Sequence, residues 1–414
     1  MQLYLLNKSY ELVGVVDEAE SILWRKKYND AGECEIYAPC DEALLALLKK
    51  GYYVYRYDDD MFCKIKTVEI ETDVENGDHI IATAADICTI LSGRIVRWQI
   101  VYSGTVGGFI KKVLTDNVVS PAQEKRKIAN FVIDDSNFSR FSEKIEVSTF
   151  TDDLLALITA ACKTYNIGFR LTYDMTAGKL TFKLYKGENK ASAASGEYVE
   201  FSPSFANIIS TRYRTDDTNY KNVVYVSYKN AEGGTELLSL YRGASEPQGE
   251  DREEIFVDGT GTSRDITLEE LEQMFGTVSS RETVITEGTK SVTSRTYSAV
   301  VDRTPVDVAT SVQDVVESGA EPAEEKITVT DYTYLLLIRI LGENALAERV
   351  KTQEFSGDVD TGVSYVYKVD YNLGDTVKAM NDYGIEAEAQ ITEVLESEDN
   401  EDGYNIEPTF EFKN

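Results

Sequence analysis

Histidine is nearly missing from this chain: 414 residues hold one, His79. That rules out two-histidine zinc motifs and leaves Ser-His-Asp or Cys-His nucleophile systems only if His79 serves alone. His79 falls in an alternating, strand-like stretch, so a packed or solvated face residue is the expected role. Cysteine is sparse and odd in number. Cys34, Cys40, Cys63, Cys88 and Cys162 are scattered without any Cys-x-x-Cys, which points to reduced thiols in a cytosol-assembled protein, not a disulfide scaffold. Long apolar runs are absent. A stretch such as Tyr334–Ile338 is far short of the ~20 residues a membrane helix needs, so no stable membrane insertion is expected. Met1–Leu6 lacks a basic region and a cleavage site and reads as a strand, not a signal peptide. No Walker loop, nucleophile elbow or Gly-x-Gly-x-x-Gly opens a helix after a strand.

Positive charge is also short. Against 42 Lys and Arg stand 72 Asp and Glu, a net charge of −30. Gripping phosphates by counterion release needs clustered cations, so no specific nucleic-acid binding is expected. The acid surplus serves solubility, and it would also repel DNA sliding past. Two acidic stretches resemble the start of a calcium loop. In Asp358-x-Asp360 the twelfth position is Val369, and in Glu398-x-Asn400-x-Asp402-Gly403 it is Thr409, where the loop requires Glu. Asp58-Asp-Asp60 reads as a solvated turn that discourages edge pairing. So many acids guarantee candidate pairs for glycoside hydrolysis, yet no spacing selects one. No catalytic, cofactor-binding or metal-binding residue is assigned. Of 26 tyrosines, Tyr52, Tyr53, Tyr55 and Tyr57 fall on both faces of one strand. Core and interface packing is the expected use, with a sugar platform as the alternative.

What the chain does contain is an internal echo. Gly51-Tyr-Tyr-Val54 matches Gly374-Asp-Thr-Val377, 323 positions on. Ile65, Val68, Gly77 and Ile80 match Ile391, Val394, Gly403 and Ile406, each 326 positions on. Each copy reads as strand, tight turn, long alternating strand, Asn-Gly or Asp-Gly turn, returning strand. A subunit with two copies lets an oligomer of n chains present about 2n similar faces.

Between the copies the pattern changes. A helix runs from Asp41 to Lys50, with acids first, bases last and Gly51 beyond. Asp86–Leu91 is a helical turn, and Val106–Leu114 and Thr151–Tyr165 are helices, the latter capped by Thr151. Gly168–Tyr173 and Lys179–Tyr185 form a hairpin, and 190–196 is a small-residue linker. Tyr198–Val257 returns to β. Thr267-Leu-Glu-Glu270 opens a helix with a capping box, 283–325 is polar and poorly periodic, and Asp331–Lys351 is helical. The β-pattern resumes at Val363. At this length two to four domains are expected.

Several phrases, in order, resemble the tail-tip hub proteins of long-tailed phages, the family of siphophage tail proteins related to the N-terminal hub of tail-associated lysins and to baseplate hubs. They are Ile22-Leu-Trp24 through Tyr28 with Gly32–Pro39; Gly51–Arg56 leading through Ile65 and Val68 to Asp86–Leu91 and Arg94; Asp153-Leu154 to Asn166–Phe169 with Lys179-Leu180 and Tyr185–Gly187; Glu200–Ser202 with Asn207, Lys221-Asn222 and Val226; and Tyr371–Val377 with Ile391 and Ile406–Thr409. The stretch 283–325 has no counterpart in the resemblance, and no lysin or fibre domain is expected after the second β-unit.

The resemblance implies an α+β, mainly β fold with two similar β-barrel-like domains. Residues 1–95 would form the first barrel, 96–197 a mixed α/β domain, 198–258 plus 355–414 a second, split barrel, and 259–354 a partly helical insert. It implies a homotrimer whose six barrels form a pseudo-sixfold ring at the virion tail tip, assembled in the host cytoplasm. The expected partners are a distal tail or tail tube protein ring, the tape measure protein, and a tip fibre or receptor-binding protein. The function implied is a non-enzymatic hub that closes the tube and opens for DNA passage. The alternatives are a cell-wall glycan hydrolase, with an acid pair in the insert, and a carbohydrate-binding adhesin.

Overall fold

The computed structural model describes residues 1–414 other than 18, 74–76, 97–98, 150–151, 193–197, 288–289, 315–326, 358, 361–364, 401–402 and 413–414. Thr151, Asp358, Val363, Asp402 and most of the small-residue linker, each named above, and Asn76 of the first Asn-Gly turn therefore lie outside the described residues.

The chain opens with β1 (Leu3–Leu6), β2 (Leu12–Val16), β3 (Ser21–Lys27) and β4 (Glu33–Pro39). In β3 and β4 every second residue is buried, which places Ile22, Trp24, Cys34, Ile36 and Ala38 in one core. Helix α1 (Glu42–Leu47) follows, with the Asp41 carboxylate accepting from the Leu44 N–H at 2.7 Å. It stops short of Lys49-Lys50. Then come β5 (Tyr53–Tyr55), β6 (Phe62–Asp73) and β7 (Gly77–Asp86), and a 3-10 turn over Ile87–Ile90 capped by Asp86.

The mixed region holds β8 (Ile100–Thr105), α2 (Val106–Leu114), β9 (Phe131–Asp134), β10 (Lys144–Thr149), α3 (Leu154–Tyr165), β11 (Gly168–Asp174) and β12 (Lys179–Tyr185). Asp153 caps α3. The β11–β12 hairpin takes β9 alongside in parallel, while β8 and β10 pair separately. Phe109, Leu154, Ile158, Phe169 and Phe182 share a core with Tyr53, Tyr55 and Phe62, so this region is packed onto the first β-unit.

Next come β13 (Glu200–Phe201) and β14 (Arg212–Asp216). Strands β15 (Val223–Lys229), β16 (Thr235–Tyr241) and β17 (Glu254–Asp258) form their own sheet, ordered β16-β15-β17. After β18 (Asp265–Ile266), helix α4 (Leu268–Phe275) has the full capping box of Thr267 and Glu270. Strands β19 (Val278–Glu287), β20 (Lys290–Val301), β21 (Thr304–Asp314) and β22 (Ile327–Val329) precede α5 (Asp331–Ala347). The order β18-β22-β21-β20-β19 makes a five-stranded sheet. The polar stretch from Thr283 is therefore long strand pairing as far as Asp314. Its period was hidden because residues such as Val284 and Val312 are exposed. Leu337 and Ile338 of α5 pack with Val224 and Val226 of β15, so the 223–258 strands share a core with the insert.

The chain closes with β23 (Thr352–Ser356), β24 (Thr376–Met380), β25 (Glu386–Asp399) and β26 (Gly403–Phe412). The two copies of the echo have one topology, β3-β4-β7-β6-β5 in the first and β14-β23-β26-β25-β24 in the second. Their details match. The β6–β7 ladder slips between Ile65 and Thr67, and the β25–β26 ladder slips between Ile391 and Glu393, the positions 326 further on. The Gly51 N–H donates to the Ile65 carbonyl at 2.8 Å, and the Gly374 N–H donates to the Ile391 carbonyl at 2.8 Å. Gly51 and Gly374, and likewise Gly77 and Gly403, all have positive φ.

The expected barrels are not what forms. None of the sheets closes into a barrel; both units lie in a single 13-stranded sheet. Strand β25 is long enough to join them. Its first residues, Glu386–Gln390, pair with β24, and its last, Glu393–Asp399, pair with β3 of the other unit. The edge that could close the second unit on itself is thus spent joining the first, and the matching edge of β6 in the first unit is left without a strand partner among the described residues. Among the described residues no helix is long and apolar enough to cross a membrane.

Candidate functional site

The seam between the units carries a buried charge network. Glu396 of β25 stands opposite Trp24 of β3 and is 1% exposed. One of its oxygens accepts from Arg56 Nη1 at 3.0 Å and from the Tyr404 hydroxyl at 2.7 Å; the other lies 3.4 Å from Lys368 Nζ. Lys368 also reaches Asp59 at 2.7 Å, and Asp59 shares Lys26 at 3.1 Å. Lys26 extends to Asp60 at 2.8 Å, and Asp60 faces Arg170 of β11 at 3.8 Å and Lys183 of β12 at 3.7 Å. Arg56 lies over the Trp24 ring, 5.6 Å from its centroid, and binds Asp58 at 2.5 Å. One connected set of charges thus ties the first unit, the second unit and the mixed region together.

Asp58-Asp-Asp60 is corrected by this arrangement. Asp58 and Asp60 remain exposed, as a solvated turn would have them, but the Asp59 carboxylate turns inward and is completely covered. Burial opposes the charge on Asp59, yet the nearby Lys26 and Lys368 outweigh it and hold the carboxyl well below its usual range. Asp60 behaves likewise, its partial burial outweighed by Lys26 and Arg170. Lys26 loses hydration by burial but is kept charged by Asp59 and Asp60, and its pKa rises. No local signal revealed this. Arg56 and Glu396 are 340 residues apart, and an acidic tripeptide reads as a turn whichever way it points.

Tyr28 is a second anchor at the same seam. Its N–H donates to the Thr392 carbonyl at 2.8 Å, and its carbonyl accepts from the Phe169 N–H at 3.2 Å. Its hydroxyl donates to the Asn166 carbonyl at 3.2 Å and accepts from the Gly187 N–H at 3.3 Å. Burial pushes the phenol up to about 12. A Cβ at Gly374 would sit 2.3 Å from the ring, and one at Gly168 would sit 2.4 Å from it, so both glycines are required by close approach.

A shallow polar cleft of about 450 Å³ opens on the joined sheet, lined by Arg25, Lys163, Arg212, Arg214, Glu354 and Glu393 among others. Arg25 lies 3.3 Å from Glu33 and 3.1 Å from Glu393; Arg214 lies 3.9 Å from Glu354. This is a ladder of alternating charges across strands.

The residues singled out by chemistry are placed as follows. His79 is buried, stacked on Tyr37 at 4.6 Å between centroids, with Nε2 3.2 Å from Glu20. Cys34, Cys63, Cys88 and Cys162 are buried free thiols and Cys40 is half-buried. Among the described residues no group of three or more His, Cys, Asp or Glu could hold a metal ion. Tyr53 and Tyr55 are buried, and Tyr53 packs against Tyr10 at 4.7 Å and Phe62 at 5.2 Å between centroids, the packing use expected of these rings. Tyr57 is exposed.

A doubled β-unit, fused through a charged seam and packed on an α/β region, defines the class of this mainly β protein. The chain belongs to the family of Siphovirus ReqiPepy6 Gp37-like proteins, whose model matches residues 2–410. This bears out the siphophage tail resemblance read from the sequence. Among solved structures it is similar to a tail protein from Neisseria meningitidis MC58 (TM-score 0.46, 11% identity, covering 99% of this chain and 95% of that one). It is also similar to prophage tail protein gp18 from Listeria monocytogenes EGD-e (TM-score 0.45, 11% identity, 100% and 95%). A third is the 43 kDa tail protein of prophage MuSo2 from Shewanella oneidensis (TM-score 0.47, 9% identity, 99% and 98%). Comparison with curated proteins gives no match.

Proposed function

We propose that this tail protein is a non-enzymatic hub at the virion tail tip. Three copies would form a pseudo-sixfold ring from six β-units, matching a distal tail or tail tube ring on one side and a threefold tip on the other. The observation that carries this reading is the repeat, with matching strand order, bulge position and glycine turns in the two units. The tape measure protein and DNA pass through when the ring opens, and a tip fibre or receptor-binding protein attaches beyond it. The mixed α/β region and the insert close the tip or hold these partners. The acidic surface, net −30, keeps DNA from sticking in transit. Assembly takes place in the host cytoplasm, consistent with free thiols throughout.

Native mass measurement of the full chain tests the reading. A trimer, or a monomer that trimerises on its tail partners, is the expected result; a stable dimer sinks it. A density map of the particle with this chain away from the tip sinks it too. For the hydrolase alternative the readout is a zymogram on purified wall material, where sustained clearing by this chain alone overturns the non-enzymatic reading. For the adhesin it is glycan-array binding without tail partners.

A further inference from the structure

Besides the outer side of β2, two edges of the large sheet have no strand partner among the described residues. One is Thr67–Asp73 of β6, beyond the stretch that β5 covers; the other is the outer side of β14. In the repeat these are the counterparts of the two edges that meet inside the chain. Residues 393–399 of β25 correspond to 67–73 of β6, 326 positions earlier. Strand β3 corresponds to β14. Glu33 pairs with Ala85 and Glu354 with Glu411, again 326 apart, and Arg25 faces Glu33 as Arg214 faces Glu354. The chain therefore carries one joined copy of the β25–β3 contact and both halves of a second copy, left open.

We propose that β6 of one copy pairs antiparallel with β14 of a second copy of this chain, in the register of the internal β25–β3 seam. That register sets Glu69 opposite Arg214, Ile70 opposite Tyr213 and Glu71 opposite Arg212, where the internal seam sets Leu395 opposite Arg25, Glu396 opposite Trp24 and Ser397 opposite Leu23. The charges agree with it. Glu69, Glu71, Arg212 and Arg214 are all exposed, and each acid meets a base. Arg214 is already placed between Asp216 and Glu354, as Arg25 is placed between Glu33 and Glu393. Pairing β6 with β6 about Ile70 would set Glu69 against Glu71, and β14 with β14 about Tyr213 would set Arg212 against Arg214, so at these positions the charges favour the head-to-tail match. Ile70, 53% exposed, gains cover from Tyr213, which already packs on Phe412 at 5.7 Å. A contact between different edges is heterologous: repeated, it closes into a ring or runs on as a filament. The inference deepens the hub reading, on which the closed ring depends.

The test uses the full chain and its charge reversals. E69R/E71R and R212E/R214E are each expected to weaken the oligomer by about a hundredfold, and the four changes combined in one chain to restore it. An oxidised mixture of E71C and R212C chains is expected to give a covalent dimer that neither variant forms alone. An oligomer that survives both reversals, with no cross-link in the mixture, overturns the strand pairing and leaves the ring standing. Open filaments joined through the cysteine pair keep the strand pairing and overturn the ring. A chain that stays monomeric and uncross-linked overturns both. Glu69 and Glu71 are exposed, so thermal unfolding of the E69R/E71R monomer should be unchanged; R214E sets an acid beside Asp216 and Glu354 and lowers monomer stability, so the E69R/E71R arm and the cross-link separate lost pairing from misfolding.

Discussion

The outer half of β6 and the outer half of β25 are the same piece of structure in two environments. Both follow a bulge, both pair inward with a returning strand, and both end at a glycine turn. Around β25, strand β3 is added. Val394 is fully buried and Glu396 is sealed among Arg56, Lys368 and Tyr404. Around the outer half of β6 no strand is added among the described residues; Val68 is half-buried and Ile70 is exposed. Equal backbones have acquired opposite side chains. A covered edge holds a buried acid balanced by cations from elsewhere, while an open edge carries Glu69 and Glu71 to the surface.

The largest way to break this comparison is at the covered copy. Glu396→Gln leaves the buried Arg56 under-compensated in the interior and should cost about 3–5 kcal/mol. The matching change at the open copy, Ile70→Gln, should stay within about 0.5 kcal/mol in the isolated chain. Denaturant unfolding of both variants measures the difference, and equal effects would mean the seam is not load-carrying.

The paired glycines sharpen it next. Gly51→Ala meets a positive φ of 88° and only the flexible end of Lys8, so about 1–3 kcal/mol is expected. Gly374→Ala meets a positive φ of 96° and also the Tyr28 ring, and should cost more than its counterpart. Thermal unfolding of the two variants side by side reads the order; reversal of it would remove Tyr28 as an anchor.

Acid should act on the seam. Asp59 and Asp60 have depressed pKa values in the folded state, so the unfolded chain binds more protons once pH falls to the ordinary carboxylate range near ~4. Their contribution is fully present above that range and is lost progressively as pH falls through the folded values. Stability should therefore decline below about pH 4, and Asp59→Asn should flatten that decline while lowering stability at neutral pH. Unfolding curves across pH report both.

The smallest expected effect is at Thr67 or Thr72, exposed on the open edge. Replacing either with Val should change monomer stability by less than about 0.5 kcal/mol. A larger change by thermal unfolding would mean that this edge is already covered.

Much of this was legible in advance because it is local. The capping box at Thr267, the hairpin of β11 and β12, the helix starting near Leu154 and the glycine turns of both units depend on residues a few positions apart. The repeat was legible too, since bulge and turn leave a fixed spacing of branched residues and glycines. The long polar strands β19 to β21 were not, because apolar residues such as Val284, Val300 and Val312 are exposed, so polarity along the sequence does not follow burial.

That the chain folds one β-unit twice follows from local sequence, because strand period and turn glycines are written within each copy. That the copies share one sheet and not two barrels, and that Asp59 points inward, follows from long-range packing. Those outcomes depend on which edge meets which and on cations hundreds of residues away, and neither edge pairing nor distant charge balance leaves a mark on neighbouring positions of a chain.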